Sequence, residues 1–286
     1  MIPASADRRE RLRKALRVLW RNPMVLIGLV ILVAWVFIAL FAPVIAPTSP
    51  IHQNIMERLT GPNSAHWFGT DELGRDIFTR VLYGGRITMP AGVLVIVIGC
   101  TLGMVVGAVA GYVGGSWDEL IMRISELFMA FPTIILALAI TAALGPDLHN
   151  AVIALVIVWW PGYARLIRGL VMEVKTREFV DGARSVGASS VYILFRTVLP
   201  NCISSALVLA TLDIGNAILS FAGLSFLGLG PDPTSPEWGR MVSTGIAYFD
   251  QWWMWLYPGL AIATLVLAFN FIGDGLRDIL DPRMRR

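Results

Sequence analysis

A single carboxylate interrupts one of the long apolar stretches of the sequence. Asp213 lies within residues 203–229, and Asn216 and Ser220 fall on the same face of a helix through that stretch. A carboxylate at the centre of a bilayer costs about 2.5–3.5 kcal/mol, so Asp213 should face protein or water. Two interpretations remain open. The three residues line a wet substrate path, where Asp213 meets an amino group, or Asp213 makes an internal hydrogen bond that fixes helix packing.

The histidines and cysteines do not form a recognisable reactive site. His52, His66 and His149 show no pair with the spacing of metal ligands, and we expect them to be interfacial polar residues. Cys100 and Cys202 lie in or beside apolar segments without a CxxC pattern, which is typical of small buried side chains. The sequence therefore predicts neither a metal site nor a catalytic cysteine.

The sequence also lacks a motif for binding the phosphates of a nucleotide. A phosphate-binding P-loop needs a lysine directly after a glycine, and the two lysines, Lys14 and Lys175, do not follow one. No Ser/His/Asp, HExxH or Cys/His arrangement is present either. We predict no catalytic residue and no cofactor bound by this chain.

The composition places the chain in a membrane. Of its 286 residues 56% are hydrophobic and 15% are charged, and the mean hydropathy is +0.68. Soluble domains carry about 45–50% apolar and about 25% charged residues. These values exclude a disordered protein, a disulfide scaffold and an ordinary soluble enzyme. The net charge of +3 is typical of basic loops beside a membrane, and we do not expect nucleic-acid binding.

Six stretches are long and apolar enough to form transmembrane helices, so we predict an all-α polytopic membrane protein. The first is too long for a cleaved signal peptide and is interpreted as an anchor. Pro132 and Pro161 should kink or break the third and fourth helices. Gly99, Gly103, Gly107 and Gly111 line one face of the second and predict a seam, either fixed or sliding. The spans are 24–46, 90–112, 127–146, 148–164, 203–229 and 251–273.

The distribution of basic residues predicts the orientation. With both termini on one side, 18 of the 23 Lys and Arg residues fall on that side. Because cytoplasmic loops carry the excess of Lys and Arg, we expect both termini in the cytoplasm. Arg123 and Glu126, three residues apart near an interface, should pair with each other.

The predicted cytoplasmic loop 165–200 is too long for a simple connector. Apolar residues recur in it at helical spacing in two groups, which predicts two short amphipathic helices with Gly187 as an elbow. Ser189 or Ser190 could cap the second helix, and Pro200 suits the boundary before the fifth span. The residues alone leave open whether the apolar stripes contact the membrane interface or a partner protein. The first stripe is Phe179, Val180, Ala183 and Val186, and the second is Val191, Leu194, Phe195 and Val198.

The same loop carries a pattern that resembles the EAA loop of ABC importer permeases. Asp181, Gly182 and Ala183 stand where that loop has Glu-Ala-Ala, with Gly187 and then Leu199-Pro200 at matching spacing. Asp, Gly and Thr replace the usual Glu, Ala and Ile at positions 181, 182 and 197. Asp181 keeps the carboxylate, whereas Gly182 weakens the helix by up to about 1 kcal/mol.

Longer segments make the resemblance more specific and extend it over nearly the whole chain. They are similar to the dipeptide, oligopeptide and nickel permease class, and within it to the second of two permease subunits, the C type. The resemblance implies the type I ABC importer permease fold with a cytoplasmic coupling helix. The segments are FGTDELGRDIFTRVLYGGRIT (68–88), LSFLGLGPDPTSPEWG (224–239) and FNFIGDGLRDILDPRMR (269–285).

The resemblance implies the partners and the division of labour. Residues 181–183, Gly187, Leu199 and Pro200 would dock into one of two ABC ATPase subunits, which use ATP and Mg²⁺. A second, homologous permease would form a heterodimer with this chain in the bacterial inner membrane, served by an extracytoplasmic binding protein. The implied domains are 1–87 (tail, first span and outer loop), 88–275 (the transport domain) and 276–286 (the tail). Dipeptides, longer peptides, glutathione, opines and nickel chelates all remain open as substrates.

An ion-coupled secondary transporter is the alternative function. Such a protein usually shows a relay of intramembrane carboxylates or histidines and inverted repeats. Only Asp213 is clearly intramembrane, and the sequence shows no internal repeat. Uptake that collapses with the proton gradient but survives ATP depletion would favour this alternative.

Overall fold

The computed structural model describes residues 22–280, which are almost entirely helical. The basic residues of the amino-terminal tail and most of the predicted 276–286 tail lie outside this range. The helices are α1 (Pro23–Ile45), α2 (Ile77–Val113), α3 (Gly115–Met129), α4 (Thr133–Leu144), α5 (Leu148–Val174), α6 (Glu178–Ser185), α7 (Ser190–Phe226), α8 (Trp238–Ala247) and α9 (Trp253–Leu280).

The predicted number of spans is confirmed when α3 and α4 together count as one. Helices α1, α2, α5, α7 and α9 are each long and apolar enough to cross a membrane, and the α3–α4 pair is bent by 91°. The bend falls at Pro132, directly before α4, because proline disfavours a helical conformation in the residue before it. Pro161 does not break its helix, since α5 continues through it to Val174, and a kink there stays a prediction.

Several helices extend beyond their apolar stretches. Helix α2 has 37 residues and begins at Ile77, well before the predicted start at residue 90. The Asp76 carboxylate caps it by accepting a hydrogen bond from the Thr79 backbone N–H at 2.8 Å. Arg80 follows in the first turns and is only 2% exposed. Of the two arginines in this early part of α2, Arg80 is therefore buried in protein, whereas Arg86 is exposed.

Helices α2 and α5 make the most extensive contact in the structure. The glycines predicted to line a seam lie against the α5 backbone. A Cβ atom at Gly103 would come within 2.5 Å of the Trp160 carbonyl oxygen, and one at Gly111 within 2.7 Å of the Arg168 carbonyl oxygen. The prediction of a seam of small residues is confirmed, and its backbones are closely packed.

Two substructures lie at opposite ends of the bundle. Residues 46–76 and 227–252 fold together at one end, and we call them the cap. Residues 175–198, from the end of α5 through the first turns of α7, lie at the other end, and we call them the hairpin. Helix α7 contributes to both apolar cores of the bundle and begins within the hairpin. A movement of the hairpin would therefore be transmitted through α7 into both cores.

Candidate functional site

The hairpin consists of the two-turn helix α6, a left-handed glycine and the first turns of α7. Gly187 has a φ of +79°, a conformation that favours glycine. Its N–H donates to the Arg184 carbonyl at 2.9 Å, and the Ala188 N–H donates to the Ala183 carbonyl at 3.1 Å. This pair of bonds is the Schellman pattern that ends a helix at glycine. The predicted glycine elbow is confirmed.

The second predicted short helix does not exist as a separate element. Ser189 caps α7 by accepting a hydrogen bond from the Tyr192 N–H at 3.3 Å, and α7 then runs on to Phe226. Its turns at Ile193–Val198 are π-helical. Pro200 lies within the continuous α7, but the regular α-helical part begins at Leu199 with the proline in its first turn, the kind of position that was predicted. The π-helical turns shift the backbone hydrogen-bond register just before Pro200, and this helps the helix to accommodate a residue that lacks an N–H.

The two apolar stripes of the hairpin are only half buried. Val180 is fully buried, and Leu194 and Val198 are nearly so, within the core that also contains parts of α2 and α5. Val186 is 84% exposed and Val191 is 69% exposed. The stripes thus divide between an inner face and an outer face. The exposed apolar side chains of the hairpin are Phe179, Val186, Val191, Tyr192 and Phe195.

The EAA-like residues are also distributed between the outer, exposed face and the inner, buried face of the hairpin. Asp181 is exposed, and its carboxylate accepts a hydrogen bond from Arg184 at 2.9 Å. A Cβ atom added to Gly182 or Gly187 would meet nothing within 4 Å. Ala183 is half-buried against the core. The open space beside the two glycines leaves room for a partner backbone to approach closely.

The junction at Leu199 and Pro200 is placed beside the hairpin. Leu199 is half-buried and packs against the core, whereas Pro200 is exposed. The Asn201 side-chain N–H donates to the Thr197 carbonyl at 2.7 Å. The last two EAA-like residues therefore lie at the point where the hairpin joins the transmembrane part of α7.

Polar contacts tie the base of the hairpin to the membrane helices. Arg168 of α5 makes a two-pronged ion pair with Asp118 of α3, at 2.5 and 2.6 Å. Lys175 donates to the Gly111 carbonyl at the end of α2, at 2.7 Å. Sequence reasoning missed these contacts because the partners are 50 and 64 residues apart and no local pattern connects them. The predicted pair of Arg123 and Glu126 is confirmed at 3.5 Å.

A second feature is a cavity of about 280 Å³ beside the break between α3 and α4. Residues from both sides of the break, from α5 and from α7 contribute to its wall. Aromatic and apolar side chains dominate, and Asp213 is the charged member. The lining residues are Phe128, Met129, Phe131, Thr133, Val158, Trp159, Gly162, Tyr163, Leu209 and Asp213.

Asp213 accepts a hydrogen bond from the Tyr163 hydroxyl at 2.8 Å, which connects α7 to α5. The internal hydrogen bond, one of the two interpretations of this residue, is therefore present. Asn216 is exposed and close to the same carboxylate, but it does not line the cavity. Ser220 is half-buried and does not line it either. Of the three predicted path residues, the structure places one in the cavity.

Buried charges hold the cap together. Arg75 donates to Asp71 at 2.6 Å, and both residues are at least 95% buried. Arg80 donates to the carbonyls of Pro50 and Ser235, at 2.9 and 3.1 Å, and so joins the two segments of the cap. Every partner of these guanidinium groups belongs to the cap or to its adjoining helix.

His66 bridges two carboxylates on the cap. Its ring nitrogens lie 2.9 Å from the Asp76 carboxylate and 3.3 Å from that of Glu57. Burial lowers the pKa of His66, but the two carboxylates outweigh this effect and raise it above 6.5. Within residues 22–280, no group of three His, Cys, Asp or Glu side chains is arranged to hold a metal ion.

Comparison with known families gives two matches that together cover most of the chain. Residues 103–286 match the family described as the inner membrane component of binding-protein-dependent transport systems. Residues 11–62 match the N-terminal transmembrane domain of oligopeptide transport permease C.

Curated relatives are similar over almost their full length. The dipeptide transport system permease protein of Alkalihalophilus pseudofirmus is 44% identical over 96% of this chain and 90% of its own length. A probable D,D-dipeptide transport system permease protein of Escherichia coli is 42% identical over 92% and 88%. A glutathione transport system permease protein of Escherichia coli is 45% identical over 93% and 88%.

A solved structure with a similar fold is that of the MetNI methionine ABC transporter in inward-facing conformations. The TM-score is 0.53 at 17% sequence identity, and the match covers 72% of this chain and 98% of the other. At this identity the likeness concerns the fold alone.

Proposed function

As the chain belongs to the family of inner membrane components of binding-protein-dependent transport systems, we propose that it forms half of a translocation path for di- or oligopeptides. It is a permease subunit of an ABC importer, with the type I permease fold. The peptide substrate is supported by the three curated relatives, which are named for dipeptide, D,D-dipeptide and glutathione transport.

We propose that the hairpin couples this path to an ABC ATPase subunit. The observation that carries the proposal is the outer face of the hairpin, where apolar side chains and two unobstructed glycines surround an exposed carboxylate. Asp181, Gly182 and Gly187 would contact the ATPase directly. Ala183 would fix the inner face of α6, and Leu199 with Pro200 would pass the movement into α7.

In this proposal ATP and Mg²⁺ are bound by two ATPase subunits, and this chain catalyses no reaction. A homologous second permease supplies the other half of the path. The hairpin and both termini lie in the cytoplasm, and the cap faces an extracytoplasmic binding protein. The basic residues at the hairpin end of the bundle support this orientation. The domain boundaries at residues 87 and 275 remain part of the proposal.

The test is a Gly187→Val variant in the full complex, reconstituted in vesicles. A valine would strain the left-handed residue and fill the space that the ATPase needs, so we expect ATP-driven dipeptide uptake to fall about tenfold or more. ATP hydrolysis by the complex should persist, because the ATPase subunits are unchanged. Gly145→Val is the matched control, since Gly145 has a φ of +95° and open surroundings but lies at the cap end.

Val186→Glu provides a second variant that does not strain the backbone. Val186 is 84% exposed, so the substitution should leave the isolated chain folded while weakening its association with the ATPase. Unchanged uptake in both hairpin variants, or an equal loss in Gly145→Val, would refute the coupling role. Uptake driven by a proton gradient without ATP would instead support a secondary transporter.

A further inference from the structure

The cavity beside the α3–α4 break combines one charge with an otherwise neutral wall. Of the described residues that line it, Asp213 alone is charged. The groups that approach its carboxylate are the Tyr163 hydroxyl and the side chains of Trp159 and Asn216, all of them neutral. A carboxylate within a membrane protein usually has a cationic partner or faces water. This cavity supplies the space for such a partner but no basic side chain.

The position of the carboxylate is fixed before any ligand arrives. Tyr163 is only 1% exposed, and its hydroxyl donates to Asp213 at 2.8 Å. The Tyr163 hydroxyl and the nearby Trp159 and Asn216 side chains leave this carboxylate with acceptor capacity, because its two oxygens offer about four lone-pair sites. The remaining capacity lies at the surface of the cavity.

The rest of the wall also suits a cation. Phe128, Phe131 and Trp159 place aromatic rings around the cavity, and such rings attract an ammonium group through their negative faces. The absence of basic residues from the described lining gives an anionic group nothing to pair with. A cavity of about 280 Å³ has room for a group the size of an amino-acid residue.

We propose that this cavity is a transit site for a primary ammonium group, such as the amino terminus of a peptide. Asp213 binds the ammonium, and Tyr163 is a positioning residue that holds the carboxylate towards the cavity. The inference rests on the proposed function and adds to it the chemical group that the membrane path recognises.

The test compares a dipeptide with its N-acetylated form, which lacks the ammonium group. The full complex is reconstituted in phosphatidylcholine vesicles, whose lipids contain no primary amine. Asp213→Asn should lower ATP-driven uptake of the free dipeptide about tenfold, because a charge-assisted contact becomes a neutral one. Tyr163→Phe should lower it less. Uptake of the acetylated dipeptide should hardly change in either variant.

Asp118→Asn is the matched control, because it also removes a carboxylate contact to α5 but lies outside the cavity lining. It should change the uptake of both peptides equally. If Asp213→Asn also affects both peptides equally, or neither, Asp213 only packs helices and the inference is wrong. If the unaltered complex shows no ATP-driven uptake of either peptide, the proposed function fails and the inference fails with it.

A labelling measurement makes the test independent of the binding protein. Leu209→Cys places a thiol in the cavity wall, and Leu207→Cys places one on the same helix outside it. The native Cys100 and Cys202 are 4% and 1% exposed. In the complex without binding protein, the free dipeptide should protect Leu209→Cys from a maleimide, and the acetylated one should not. Equal protection by both peptides, or protection that persists with Asp213→Asn, would overturn the proposal.

Discussion

The cap and the hairpin differ in where they place their charged groups. In the cap, Arg75 and Arg80 are at most 4% exposed, and their partners belong to the cap or its adjoining helix. In the hairpin, Asp181 pairs with Arg184 in the open, and Val186 is 84% exposed. The charged groups of the cap are thus paired inside the chain. Exposed apolar side chains occur in both segments, with Met56 of the cap 94% exposed, so the contrast lies in the burial of the charges.

The same contrast holds for their left-handed glycines. Gly74 in the cap has a φ of +69°, and a Cβ atom there would overlap the Asn54 carbonyl. Gly187 in the hairpin has a φ of +79°, and a Cβ atom there would meet nothing within 4 Å. Gly74 is required because its neighbours leave no room for a Cβ atom. Gly187 is required only because its backbone is left-handed.

The largest expected effect on stability is in the cap. Arg80→Ala removes the group that joins its two segments and leaves the Pro50 and Ser235 carbonyls without their donor. We expect a loss of about 3–5 kcal/mol in the free energy of unfolding. Thermal unfolding of the purified complex, followed by loss of the monodisperse species, measures it.

The hairpin offers the control for that variant. Arg177 is paired with Glu173 at 2.6 Å, but both side chains are at least 60% exposed. Because exposed ion pairs contribute little, Arg177→Ala should change stability by less than about 0.5 kcal/mol. Equal losses in the two variants would show that the cap is no more self-contained than the hairpin.

Substitutions of the two left-handed glycines, Gly74 and Gly187, should have effects of intermediate size on stability. Gly74→Ala combines backbone strain with an overlap, and we expect it to destabilise the protein by roughly 2–4 kcal/mol. Gly187→Ala meets strain alone and should cost about 1–2 kcal/mol. The two variants are compared by the same thermal unfolding. A larger loss from Gly187→Ala would mean that the hairpin is packed more tightly than its open surroundings indicate.

The smallest expected effect is the pH dependence of the cap. Because the pKa of His66 is raised in the folded protein, its pairing with Asp76 and Glu57 stabilises the cap fully below about pH 6.5. This contribution disappears as the pH rises through the raised value. We expect the unfolding temperature of the cap to fall over that interval in the unaltered protein.

His66→Gln should remove this pH dependence, since glutamine does not titrate. His149→Gln is the control, because His149 is an exposed histidine at the start of α5, outside the cap. Hydrogen exchange of residues 57–76, recorded from pH 5.5 to 8.5, measures the opening of the cap directly. A profile that is unchanged by His66→Gln would show that the bridge to Asp76 and Glu57 does not stabilise the folded state.

Local patterns predicted the elements whose causes are local. The apolar spans, the glycine seam, the elbow at Gly187 and the pair of Arg123 and Glu126 each follow from neighbours within a few turns of helix. The start of α2 was misplaced because the charge-free stretch begins only after Arg86, although the helix already begins at Ile77. Pro200 does lie in the first turn of the regular α-helix, but the π-helical turns before it, which have no clear sequence signal, continue the helix into the hairpin.

The sequence by itself determined that this chain lies in a membrane, how many times it crosses, and which loop carries the small residues and the exposed carboxylate. Hydrophobic length and glycine content suffice for that, because they act within one helix. Only the tertiary structure decided which face of the hairpin is buried and that Tyr163 meets Asp213 across 50 residues. Those outcomes depend on which helices become neighbours, and that choice reflects the packing of the whole bundle.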